Sequence, residues 1–309
     1  MKVMAKTKEM SRQEWLQQRS KGIGGSDCSV IMGDNPWKSK FELWKEKTGQ
    51  KELVEEENDF LHFGTVLEPI VRDEFVRRTG IKVRQKHQIL QSEKYPWMLA
   101  NLDGVINENG ERVIFEAKTA SAYKLEEWEQ EVPREYYWQL QHYLCVTGYN
   151  KAYICALIGG NKFVIHEVYR NETDIERLVE AEKRFWIHNV LGGIEPEADG
   201  SEATATYLGQ IYAEATGEEI ELPEDALVLC EEYQLISAQL AELENKKREA
   251  CNKLKQMLKF ADAGVVGNRK ISWKMVHKKS LDTTRLKAEQ PDIYESYQKE
   301  GSYRRFMVA

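Results

Sequence analysis

One short stretch constrains this chain more than any other: Leu102-Asp103-Gly104, then Asn109-Gly110, then Ile114-Phe115-Glu116-Ala117-Lys118. In an extended strand Glu116 and Lys118 lie two apart and share a face, while Ala117 points the other way. Asn-Gly between two apolar runs is a strong hairpin signal, and such a turn brings Asp103 back beside them. Two carboxylates and an ammonium then converge on one point. Hard oxygen ligands of this kind suit a divalent cation, and a nearby lysine suits the positioning of a water for phosphodiester hydrolysis. Taken alone, the same three residues also describe a polar surface on an ordinary hairpin, so the flanking chain has to decide.

Composition narrows the setting. The 309 residues suffice for one large domain or two modest ones. No apolar run is long enough to span a bilayer, and Met1 to Met10 lacks a signal-peptide core, so a cytoplasmic location with no membrane partner is expected. Five scattered cysteines offer no C-x-x-C spacing for zinc or an iron-sulfur cluster. The net charge of -7 excludes a generally cationic nucleic-acid binder. Local patches remain: Lys82, Arg84, Lys86 and His87 cluster without an acid, and residues 261–309 carry ten Lys and Arg against six Asp and Glu.

In chain order, Ser11 and Glu14 form a capping box for a helix over 11–19, and Gly22-Ile-Gly-Gly-Ser-Asp27 leads into a second helix. A glycine-rich loop opening a helix exposes backbone N–H groups to an anion, and Arg19 stands just upstream. A tight turn that merely caps the helix has the same sequence. A helix is expected over Gly64–Gly80 with Pro69 in its first turn and Leu67, Ile70, Val71 and Phe75 facing the core; Glu68 either turns inward or lies at the edge. The acidic run 52–59 reads as solvated. Runs 81–90, 97–106 and 112–118 are expected to form one antiparallel sheet, followed by helices over 126–130 and 134–147 and a strand pair over 151–158 and 163–169. On the second of those helices Tyr136, Gln139 and Tyr143 share a face, and a buried Gln139 needs a partner. A long helix is expected over 171–191, an acidic linker over 196–222, another long amphipathic helix over 223–260, and a strand over 269–277.

Glu68, Asp103, Glu116-Ala-Lys118 and Gln139-x-x-x-Tyr143, in this order, resemble the PD-(D/E)XK nuclease core and its RecB-like branch. Arg19 with Gly22–Asp27, Pro36-Trp37 and Gly64-Thr-Val-Leu-Glu-Pro69 narrow the likeness to YqaJ-type viral recombinases, the lambda-exonuclease-like group. The likeness covers about residues 11–195; Leu102 stands where the first motif has proline. It implies an α/β (α+β) fold with a restriction-endonuclease-like core, a central mixed sheet flanked by helices, over 1–195, followed by the linker and a helical extension with a basic tail over 223–309. It further implies a Mg²⁺-dependent exonuclease, with two ions and Mn²⁺ as an alternative. That enzyme degrades linear duplex DNA 5′ to 3′ and leaves 3′ tails for a single-strand annealing protein. Carried over, Asp103, Glu116 and the Ala117 carbonyl hold metal with Glu68 as a further ligand, Lys118 is the catalytic lysine and Gln139 the helical glutamine. Arg19, Ser26, Gly24 and Gly25 hold the 5′-phosphate of a DNA end, while Glu93 falls loosely at a second-metal position and Tyr143 accompanies Gln139. The group also implies a ring-shaped homotrimer. Two other functions fit the same residues: a structure- or sequence-specific endonuclease, and a DNA-end-binding recombination scaffold.

Overall fold

The computed structural model describes residues 1–51, 58–299 and 301–308. The acidic run thus falls mostly outside the described residues. The chain divides into two compact units, Met1–Ile211 and Tyr212–Ala309.

The first unit opens with a strand, β1 (Lys2–Lys6), that carries no sequence signal of its own. Three short helices follow: α1 (Arg12–Arg19), α2 (Gly25–Met32) and α3 (Lys40–Lys47). The Ser11/Glu14 capping box forms at the start of α1. Helix α4 (Asp59–Thr79) begins a turn and more before Gly64, because the Asn58 side chain caps it by accepting from Leu61 N at 2.9 Å. Pro69 therefore sits inside this helix rather than in its first turn. Val71 and Phe75 are buried as expected, but Ile70 is 53% exposed.

Strands β2 (Val83–Arg84), β3 (Gln88–Gln91), β4 (Leu99–Asn101), β5 (Gly104–Glu108) and β6 (Glu111–Ala120) do not make the single sheet expected. The run 97–106 breaks at Leu102-Asp103. Its first half pairs with β3, and β3 with β1; its second half pairs with β6. Asn109 and Gly110 turn β5 into β6 with φ of 52° and 87°, the left-handed pair that a two-residue hairpin demands. Helices α5 (Leu125–Gln130) and α6 (Arg134–Thr147) precede β7 (Lys151–Ile158) and β8 (Lys162–Tyr169). The main sheet has the order β2-β5-β6-β7-β8, antiparallel except for the parallel β6/β7 pair that the α5–α6 crossover permits.

Each face of this sheet has its own core. Val71 and Phe75 of α4 pack on Ile106, Val113, Phe115, Tyr153 and Cys155, and Leu140, Tyr143 and Leu144 of α6 pack on Val105, Ile114, Ile154 and Ala156. Burial of each valine, leucine, isoleucine or phenylalanine among these contributes roughly 1.5–3 kcal/mol. A mixed sheet flanked by helices is thus what the sequence reading expected. Helix α7 (Glu172–Lys183) ends sooner than its periodicity suggests and widens into π-helical turns over Arg184–Leu191. The stretch read as linker contains helix α8 (Glu202–Ile211). Tyr207 on α8 is buried against Phe41 and Trp44, apolar anchorage hidden in an acidic composition.

In the second unit α9 (Ala226–Leu258) is followed by a hairpin of β9 (Ala263–Val266) and β10 (Arg269–Ser272), then α10 (Thr283–Glu289) and α11 (Pro291–Ser296). The strand expected over 269–277 stops at Ser272, where its partner β9 ends in register at Ala263. Among the described residues no helix is long and apolar enough to cross a membrane.

Candidate active site

The break at Asp103 and the middle of β6 face each other across the β5/β6 hairpin. Ala117 N–H donates to Asp103 Oδ2 at 2.9 Å, locking the aspartate beside the strand that carries Glu116 and Lys118. Lys118 Nζ donates to Glu116 Oε1 at 2.7 Å, and Gln139 Nε2 donates to the same oxygen at 2.6 Å. Gln139 Nε2 also lies 3.1 Å from Tyr143 Oη, so the polar residues on the aromatic face of α6 find their partner on β6. Tyr136, one turn earlier, puts its ring 5.1 Å from the Lys118 ammonium.

The acids here are crowded. Glu116 is 2% exposed, and its second oxygen, Oε2, is buried with no partner. Burial, then the Asp103 charge, pushes the Glu116 carboxyl well above its ordinary range. Asp103 is raised as well, by burial that Lys118 and the Ala117 N–H only partly offset. Glu68 on α4 joins the group: burial and Asp103 push it up to about 7 against the pull of Arg72 and Lys118. Burial loosens the proton on Lys118, but Glu116 and Asp103 more than reverse this and hold it more firmly than usual. A site with three carboxylates all raised by burial, two of them further by the Asp103 charge, and an orphaned buried oxygen is short of positive charge, and a divalent cation fits that deficit.

Gly24 and Gly25 open α2 beside this group. A Cβ on Gly25 would stand 2.4 Å from Tyr143 Cε1 and 2.9 Å from Gln139 Cγ, so only glycine lets the loop approach α6 this closely. Arg19 Nη2 donates to Ser26 Oγ at 2.7 Å, and its guanidinium lies 4.6 Å from the Trp15 ring centroid. Asp27 accepts from Gly24 N at 2.9 Å and from Lys47 Nζ at 2.7 Å. Burial would raise Asp27, but Lys47 and Arg19 more than reverse this and keep it ionised. The loop and the carboxylates thus form one connected set: Gly25, then Tyr143 and Gln139, then Glu116. Lys47 is a member that the sequence reading missed, since it occurs on an otherwise ordinary helix with no local signal to mark it; Tyr136 is expected on the face of Gln139 and Tyr143, but its contact with Lys118 is not foreseen.

Glu93 does not join this set. It lies on the exposed turn between β3 and β4, ion-paired with the Met1 amino group at 2.5 Å, because the break at Asp103 sends that strand into the other sheet. Behind the site, Cys28, His142 and Glu182 are buried with possible ligand atoms within 4.8 Å of one another. Both imidazole nitrogens are engaged, Nδ1 with Glu182 Oε1 at 2.7 Å and Nε2 with the Leu99 carbonyl at 2.8 Å. A carbonyl only accepts, so Nε2 carries a proton, and a second proton is shared between His142 and Glu182. This neutral-overall pair pins α6 to α7 and β4.

A family model described as the YqaJ-like viral recombinase domain matches residues 14–150. The chain is 46% identical over 310 residues to the uncharacterized protein YqaJ of Bacillus subtilis strain 168, covering 99% of this chain and 97% of that one. A weaker likeness, 27% over 100 residues, is to an uncharacterized protein of Acanthamoeba polyphaga mimivirus, 32% of this chain and 18% of the relative. Among solved structures, an alkaline exonuclease from Laribacter hongkongensis superposes with a TM-score of 0.50 at 18% identity, over 59% of this chain and 94% of that one. Its complex with dAMP gives 0.50 at 17%, over 65% and 98%. The two superpositions show that over about 60% of its length the chain shares the fold of that exonuclease. With sequence identity carried along nearly its whole length, the chain belongs to the YqaJ-like viral recombinase family.

Proposed function

We propose that the protein is a Mg²⁺-dependent exonuclease that degrades one strand of linear duplex DNA from its 5′ end, leaving 3′ tails for a single-strand annealing protein. The orphaned Glu116 Oε2, set among Asp103, Glu68 and Lys118, carries this reading. Asp103 and Glu116 would hold the ion, with Glu68 and the Ala117 carbonyl as further ligands. A divalent cation bound there would neutralise phosphodiester oxygens and lower the pKa of a water. Gln139 and Lys118 both bond Glu116 Oε1, which fixes the carboxylate and leaves Oε2 available. Lys118, kept protonated by the acids around it, orients the attacking water and faces the charge developing on phosphorus. The exposed Ser26 hydroxyl, Arg19 and the first N–H groups of α2 suit a terminal 5′-phosphate. Their contact with α6 through Gly25 would set the spacing between a DNA end and the cleaved bond. The acidic net charge leaves DNA affinity to such local cationic groups.

The test is end-labelled duplex with Mg²⁺, offered with 5′-phosphate ends, with 5′-hydroxyl ends, or as a closed circle. Expected are mononucleotides from the 5′-phosphorylated strand, slower release from 5′-hydroxyl ends and none from circles. Arg19→Ala should narrow the difference between the two linear substrates. Circles cut as fast as linear duplex would make the protein an endonuclease; tight end binding without cleavage in Mg²⁺ or Mn²⁺ would make it a scaffold.

A further inference from the structure

Helix α9 buries none of its 33 residues. One strict 3-4 series nevertheless runs its whole length, with Leu227, Val228, Leu235 and Leu258 lying off it: Ala226, Leu229, Tyr233, Ile236, Leu240, Leu243, Lys247, Ala250, Leu254 and Met257. That spacing is the a/d seam of a coiled coil, broken in charge only by Lys247. Leu229, Tyr233, Ile236, Leu240, Leu243, Leu254 and Met257 are each 40–77% exposed. The residue after the β9–β10 hairpin meets the helix off this seam, with Lys255 Nζ 5.4 Å from the Trp273 ring centroid, and on the seam Phe306 packs T-shaped against Tyr233 with ring centroids 5.8 Å apart.

We propose that the seam is covered by α9 of a second copy of this chain, running antiparallel. The sequence selects both the occupant and the direction. In a parallel pair Lys247 would face Lys247 in one layer and Ala250 would face Ala250 in the next, a like-charge contact beside a void. The flanking positions would then offer no opposite charges. Antiparallel overlap of the whole helix sets Ala226 on Met257, Leu229 on Leu254, Tyr233 on Ala250, Ile236 on Lys247 and Leu240 on Leu243. Large residues then meet small ones, and the Lys247 stem covers apolar surface while its ammonium reaches water. On the flanks Glu232 meets Lys253 of the second copy. Within its own helix Lys253 pairs with Glu249 at the exposed surface, a contact that contributes little. This pairing is independent of the nuclease site, which lies wholly in the first unit.

The same register sets Cys230 beside Cys251 of the second copy. Within one helix these cysteines are 21 residues apart, about 31 Å at 1.5 Å per residue. A short bismaleimide therefore joins them only between copies. Treating the full-length protein with this reagent and mapping peptides should give a Cys230–Cys251 link that is lost in Cys251→Ser. Light scattering should show Leu240→Glu halving the solution mass, since a carboxylate enters two symmetry-related layers, and raising the dissociation constant by about 100-fold or more. Glu232→Lys should weaken the pair and Glu232→Lys with Lys253→Glu restore it. A Cys230–Cys230 link in Cys251→Ser, absence of any link through α9, or a solution mass unchanged by Leu240→Glu would overturn the proposal.

Discussion

At the scale of single residues, the site's chemistry follows from where burial leaves charge uncompensated. Asp103→Asn or Lys118→Ala should lower Mg²⁺-dependent degradation by about 100-fold or more while duplex binding survives, as read by single-turnover cleavage and a gel-shift assay. Glu116 and Glu68 make a separate, cation-free prediction. Both hold protons more tightly in the folded chain than at their ordinary value of 4.5, Glu68 up to about 7. Below that ordinary value folded and unfolded chains are both protonated; as pH rises toward 7 the unfolded chain releases protons that the folded one keeps, so stability falls. Thermal unfolding in EDTA at about pH 5.5 and about pH 8 should show that decline, and Glu116→Gln should reduce it while abolishing cleavage. An identical pH slope in the variant would remove the burial argument for Glu116.

At the scale of elements, the close seat of α2 on α6 is the most exacting contact near the site. Gly25→Ala puts a methyl 2.4 Å from Tyr143 Cε1, with backbone on one side and a packed ring on the other. It should destabilise the protein by about 1–3 kcal/mol in urea unfolding and slow cleavage at 5′-phosphorylated ends more than the lost stability explains. The elements themselves were legible in the sequence wherever a local rule governs them: the Ser11/Glu14 box, the Asn109-Gly110 turn, and the Gln139/Tyr143 face of α6. The rules failed where a partner decides. β1 exists only because β3 offers it an edge, and the 97–106 run splits because its two halves find different sheets.

At the scale of the whole molecule, the two units begin and end where core contacts do, not where composition shifts. Truncation after Ile211 should leave a folded first unit, whereas truncation after Glu197 also removes Tyr207 from the cluster with Phe41 and Trp44. We expect the shorter piece to lose about 2–5 kcal/mol, checked by thermal melts of both. Equal melting temperatures would show that α8 adds nothing to the first unit.

The sequence by itself determined the order of the site residues, the hairpin that brings Asp103 back to β6, and the shared face of Glu116 and Lys118. Those depend on strand period and turn conformation, which neighbouring residues dictate. Only the tertiary structure decided that Gln139 bonds Glu116, that Glu116 Oε2 is left without a partner, that Glu93 stands apart, and that α2 rests on Tyr143. Each of these depends on residues distant along the chain, and their burial and charge exist only once the sheet and its two helical layers have packed.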